Sequence, residues 1–194
     1  MTATVRPPAA QGPVTRVAAE HVAATNTVAM RFFGENADAI ARACHAIADR
    51  FQQGGRLFVC GDGAQRSDVA HVVVEFVHPV VVGKRALPAI PLPTFDGGAA
   101  ARALTTLGRT GDVFMMLSAD AILAAPREVL VAAHARGLLT IALVGPGRDA
   151  ASLADHVFAV QSADLCIVQE THEMLYHILW ELTHVFLDHR RSEA

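Results

Sequence analysis

Apolar positions change their spacing along this chain, and each change marks an element boundary. Over residues 16–36, Val17, Val22, Ala23, Val28, Met30 and Phe32 recur at roughly helical spacing. A second helical stretch, residues 37–51, carries Ile40, Ala43, Cys44 and Ile47 on one face and ends at Gly54-Gly55. The period then shortens. Residues 56–60 form a compact apolar run broken by Gly61-Asp62-Gly63, the pattern of a buried strand entering a tight loop. Ser67 or Asp68 can cap a helix that reaches about Val77. The alternation repeats with strands at 89–92, 112–118, 138–144 and 156–160 and helices at 99–107 and 126–136. A long helix over residues 167–189 closes the chain. The prolines around Ile90 put the second strand at a sheet edge or its own end at a strand end.

Short apolar strands alternating with helices predict an α/β fold, a doubly wound parallel sheet of five strands. One domain over residues 15–190 accounts for the pattern, behind a disordered Ala-, Pro- and Thr-rich lead-in at residues 1–14. Ligands of such sheets bind where strand carboxyl ends meet the following helices, which gathers residues 61–67, 94–98, 118–125 and 145–148 around one crevice.

Composition narrows the picture. Of the 194 residues, 52% are hydrophobic and 18% charged, enough for a sheet buried on both faces or for apolar surface covered by subunit contacts. A net charge of −3 offers no basic field for nucleic acid, and no apolar run is long enough for a membrane span. Three scattered cysteines, Cys44, Cys60 and Cys166, argue against a disulfide framework and for a reducing, cytoplasmic setting.

Three groups of residues can carry chemistry. His71 and Glu75, four apart, project from one side of a helix and offer a nitrogen and an oxygen suited to zinc or a similar divalent ion. A surface pair has the same spacing. On the last helix, Glu170, Glu173, His177, Glu181, His184 and Asp188 form a polar stripe opposite Leu175, Leu179, Leu182 and Phe186. It reads either as a solvated face or as side chains aimed into a site. The loop from Gly61 through Asp62, Gly63 and Gln65 to Ser67 lies between strand and helix, where backbone N–H groups can receive an anion or simply make a tight turn.

Together these pieces resemble the sugar isomerase (SIS) family, and within it the sedoheptulose 7-phosphate (phosphoheptose) isomerases. The family's first loop, roughly G-N-G-G-S before a helix bearing H-x-x-x-E, is matched by Gly61-Asp62-Gly63-Ala64-Gln65, His71 and Glu75. Its last helix opens with Q-E-x-H and adds a histidine five residues on, as do Gln169, Glu170, His172 and His177. The resemblance implies the three-layer αβα SIS fold and a divalent metal, zinc by preference, held by His71, Glu75, Gln169 and His177. It implies Glu75 as catalytic base and His177 as acid, with Gly61, Asp62, Gly63, Gln65, Ser118 and Asp120 around the substrate. A homotetramer with sites at subunit interfaces is implied too. Gln169 and His177 stand eight residues apart, about 12 Å along a continuous helix, so one ion takes both only if the helix starts after Gln169 or if they come from different subunits.

One departure is clear. The family grips phosphate with a loop of roughly S-T-S-G-N-S, and the matching stretch here is Ser118-Ala119-Asp120-Ala121-Ile122-Leu123, while the first-loop serine is Gln65. An aspartate about 4 Å from a phosphate costs around 4 kcal/mol per unit charge at an effective dielectric near 20. The expectation is therefore a metal-dependent aldose–ketose isomerase acting on a divergent sugar or polyol. The alternative is a metal-binding SIS protein with an accessory, regulatory or metalloenzyme-assembly role; a third reading is a structural tetramer with a vestigial quartet.

Overall fold

The computed structural model describes residues 12–93, 98–119, 124–147 and 154–192. Chain order is α1 (Pro13–Gln52), β1 (Leu57–Gly61), a 3₁₀ turn (Gly63–Gln65), α2 (Arg66–Val77), β2 (Ala89–Pro91), α3 (Ala99–Leu107), β3 (Val113–Ser118), α4 (Ala124–Ala135), β4 (Leu139–Val144), β5 (His156–Ala159) and α5 (Leu165–Ser192). All five strands pair in parallel, in the order β2-β1-β3-β4-β5. Proline-bearing β2 takes an edge, where a missing N–H costs no ladder bond. The order reverses between β1 and β3, so the crevice opens beyond Gly61 and Ser118.

The central strands are buried throughout because both sheet faces are covered. Leu57, Val59, Val113, Met115, Ile141 and Leu143 point into a core shared with α1, α2 and α5. Phe58, Cys60, Phe114, Met116 and Ala142 point the other way, against α3 and α4. This alternation along each strand makes the three layers.

Three expectations need correction. The predicted pair of leading helices is one helix of 40 residues. Its buried positions Ala29, Phe32, Ile40, Ala43, Cys44 and Ile47 keep helical period across the expected break. Asn36 donates from Nδ2 to the Phe32 carbonyl four residues back, at 2.8 Å, and so stays inside the helix. The helix also takes in Pro13 and Val14, which the sequence reading gave to the lead-in; residues 1–11 lie outside the described residues. At α2, neither Ser67 nor Asp68 caps. The N-cap is Gln65, with no side-chain cap bond, and Asp68 is buried within the first turn.

Candidate functional site

The helices α2 and α5 pack side by side and bring together residues that stand about a hundred positions apart. His71 and Glu75 lie one turn apart on α2, and His177 faces them from α5. His71 Nε2 is 3.3 Å from His177 Nε2 and 3.5 Å from Glu75 Oε1. One ligand atom from each of the three lies within 4.8 Å of the others, and this is the one such group among the described residues. Donors bound to a tetrahedral ion at about 2.1 Å sit about 3.4 Å apart, which matches both of these separations. Two imidazoles and a carboxylate are also the donor types that zinc takes. Glu75 is the most enclosed of this pair on α2, its side chain 13% exposed against 36% for His71.

Tyr176 stands behind the pair of histidines. Its hydroxyl is 2.8 Å from His71 Nδ1, and its ring meets both imidazoles edge-on, with centroids 5.3 Å from His71 and 4.9 Å from His177. Burial holds its hydroxyl well above the ordinary phenol value, and the charges of Asp68, Glu173 and Glu75 push the same way. Glu173 Oε1 also approaches His71 Nδ1, at 3.7 Å.

Gln169 does not join the trio within one chain. The helix α5 begins at Leu165 and runs unbroken through Gln169 and His177, so the rise of about 12 Å between them stands. Its Nε2 donates to Asp68 Oδ2 at 3.0 Å. Burial raises the Asp68 carboxyl above its ordinary value, opposed by that hydrogen bond. Of the two ways expected for Gln169 and His177 to share an ion, a helix that starts after Gln169 is ruled out.

At the crevice, Gly63 has φ +46°, the left-handed conformation that favours glycine. Gly61 is required by close approach, since a Cβ there would stand 2.8 Å from Val69 Cγ2 and 3.0 Å from the Gln65 carbonyl oxygen. The buried Ser118 hydroxyl donates to Asp62 Oδ2 at 2.9 Å, tying the ends of β1 and β3. Gln65 turns inward. It is buried, with Oε1 3.3 Å from His172 Nδ1 and with no hydrogen-bond partner for Nε2. Asp120 lies outside the described residues.

Sequence reading missed four participants. Tyr176, the chain's one tyrosine, falls off the polar stripe and resembles a core residue. Asp68 resembled a cap. His21 and Thr25 sit in a helix read only for its apolar face, yet His21 Nε2 is 2.9 Å from Glu170 Oε1 and Thr25 donates to Glu170 Oε2 at 2.7 Å. The hydrogen bond and charge of Glu170 raise His21, and the bonds from His21 and Thr25 lower Glu170. These residues line a cavity of about 460 Å³ that reaches His177, a size suited to a small polar ligand. The polar stripe itself is mixed, because His184 is buried against the Trp180 and Arg85 carbonyls.

The family profile described as SIS domain matches residues 20–145. A phosphoheptose isomerase of Thermodesulfovibrio yellowstonii is 32% identical over 165 residues, covering 78% of this chain and 82% of the relative. One from Nitratidesulfovibrio vulgaris is 29% identical over 185 residues, 89% of each. Among solved structures, phosphoheptose isomerase GmhA from Neisseria gonorrhoeae superposes with a TM-score of 0.76 at 22% identity, covering 88% of this chain and 98% of that one. A phosphoheptose isomerase from Francisella tularensis gives 0.75 at 19%, covering 89% and 98%. These two likenesses show the fold.

Proposed function

The chain belongs to the SIS domain family, and from that premise we propose that it is an aldose–ketose isomerase of the sugar-phosphate isomerase type that requires a divalent metal ion, zinc by preference. The observation that carries the proposal is the convergence of His71, Glu75 and His177 donor atoms within 4.8 Å. These three side chains would hold the ion, with Gln169 of another subunit as the fourth donor. When bound, a divalent ion supplies polarisation of the substrate carbonyl and stabilises the charge that develops on its oxygen.

The remaining work falls to this chain's side chains. Moving a carbonyl between adjacent carbons requires removal of one carbon-bound proton and return of another to the neighbouring carbon. Glu75 is the proposed base and His177 the acid that serves the oxygens. The enclosed position of Glu75 keeps bulk water from competing for the proton. The cavity beside His177 accommodates the rest of a sugar.

The substrate we propose is a sugar or polyol without a conventionally gripped phosphate. Ser118 spends its hydroxyl proton on Asp62, and Gln65 faces His172. Neither is presented to a phosphate. Those same internal bonds suit a second reading, a metal-binding SIS protein without turnover. The scattered cysteines Cys44, Cys60 and Cys166, which form no disulfide, support a cytoplasmic setting; among the described residues no helix is long and apolar enough to cross a membrane.

Glu75→Gln tests the reading. Turnover of a sugar panel by the zinc-loaded protein should fall by at least about a hundredfold, with the circular dichroism spectrum unchanged. Unchanged turnover removes Glu75 from the mechanism. Fast isomerisation of sedoheptulose 7-phosphate would overturn the divergent substrate, and zinc retention with no sugar turned over would favour the second reading.

A further inference from the structure

Hydrogen-bonding capacity that a cavity leaves unspent on its own walls shows what a ligand there must supply. The cavity of about 460 Å³ that reaches His177 lies between α1 and α5. Its donors are turned onto one of its own carboxylates. Thr25 gives its hydroxyl proton to Glu170 Oε2 at 2.7 Å. His21 Nε2 stands 2.9 Å from Glu170 Oε1, and because a carboxylate oxygen accepts, the imidazole is the donor. Both oxygens of Glu170 are thus engaged. The two histidines of the cavity are committed as well, His21 to Glu170 and His177 to His71.

Glu173, one turn further along α5, differs. It lines the same cavity with its side chain half-exposed, and its approach to His71 Nδ1, at 3.7 Å, is too long for a hydrogen bond. No lysine or arginine lines the cavity. The unspent charge it presents is therefore negative. Asn26 adds a side-chain amide from the α1 wall, and Met174 adds apolar surface beside Glu173. A hydroxylated carbon chain matches this set, with O–H groups that donate to the carboxylate and C–H groups that rest on Met174. A phosphate does not, because its charge repeats that of Glu173 and its ionised oxygens have no proton to give.

We propose that Glu173 is a specificity-determining residue: it accepts hydrogen bonds from the hydroxyls of an uncharged sugar or polyol end and turns a phosphorylated end away from this cavity. The inference rests on the reading above that the cavity receives the substrate, and not on turnover or on a metal ion.

Ribitol and ribitol 5-phosphate are the probes, since neither carries a carbonyl to be isomerised. Ligand-observed NMR reads their affinities for the full chain, with a chelator present to keep both off any metal. Wild type should prefer ribitol. Glu173→Gln keeps the size and an acceptor but removes the charge, and should narrow that preference about three- to tenfold. Added salt should shrink the wild-type preference too, as screening of like charges requires. Glu128→Gln, on α4 against the other face of the sheet, should leave the preference unchanged. Equal or tighter binding of ribitol 5-phosphate by wild type, no binding of ribitol, or an unchanged preference in Glu173→Gln overturns the proposal. If the preference responds as expected while no sugar is isomerised, the isomerase reading fails and the Glu173 assignment stands.

Discussion

His172 shows how a histidine in this fold serves the core. It is fully buried between the Gln65 amide and the Val144 carbonyl, and burial draws its pKa down to about 4. A group whose folded value is lower than its unfolded value of 6.5 binds more protons when unfolded. Stability is therefore retained above about pH 6.5 and lost as pH falls through the window toward 4. The full shift corresponds to a loss on the order of 3 kcal/mol. His156, also lowered by burial, adds a slope of the same sign. His21 is raised, so its contribution changes above pH 6.5, outside this window. Asp68 is raised and acts with opposite sign near the carboxylate range, so the cleanest reading is between about pH 6.5 and 5. Urea denaturation across that interval should show stability falling with acidification, and His172→Gln should flatten the slope. At this scale the sequence was only half legible. His71 and Glu75 are local neighbours on one helix, so their pairing could be read from spacing. Tyr176, Asp68 and Gln65 act through partners about a hundred residues away, and no local period records such a contact.

Elements are held in register by a few polar clamps at the amino ends of the strands, away from the crevice. Asp112 is buried just before β3 and accepts from the Arg56 backbone N–H at 2.9 Å, Arg56 Nη2 at 2.7 Å and the Arg109 backbone N–H at 2.9 Å. It thus joins the start of β1 to the turn that delivers β3. Asp112→Ala would leave two backbone donors and a partly enclosed guanidinium without their acceptor. The expected loss is about 3 kcal/mol, seen as a lower urea midpoint with an unchanged slope, because the surface exposed on unfolding hardly changes. Most elements were legible in advance, and for a physical reason. Strands buried on both faces appear as unbroken apolar runs between glycine-rich turns, and all five fall where that pattern stops and starts. The helix boundary near Asn36 failed because a polar residue can satisfy itself inside a helix by bonding back to the turn before it, and composition does not distinguish that from a cap.

A single chain leaves apolar surface uncovered. Val74 and Val77 on α2, the run Val80 to Val82, and Met30 on α1 are all substantially exposed, so the hydrophobic excess of the sequence is only partly absorbed by the two-sided sheet. Subunit contact is the proposed cover, and Gln169 gives that proposal a chemical consequence. The unbroken helix keeps Gln169 away from His177 of its own chain, while the hydrogen bond from its Nε2 to Asp68 leaves Oε1 as the atom available to an ion. If Gln169 completes the trio of a neighbouring subunit, each site takes His71, Glu75 and His177 from one chain and Gln169 from another. Two inactive variants, His71→Ala and Gln169→Ala, should then rescue each other. In oligomers assembled from an equal mixture, a working site needs its trio from a Gln169→Ala chain and its glutamine from a His71→Ala chain. Random assembly produces that in about a quarter of sites, so isomerase activity and zinc content should recover to about a quarter of the wild-type level. Mixing the folded variants without dissociation should recover nothing. Absence of rescue after co-refolding would confine the site to one chain and leave Gln169 to the Asp68 hydrogen bond alone.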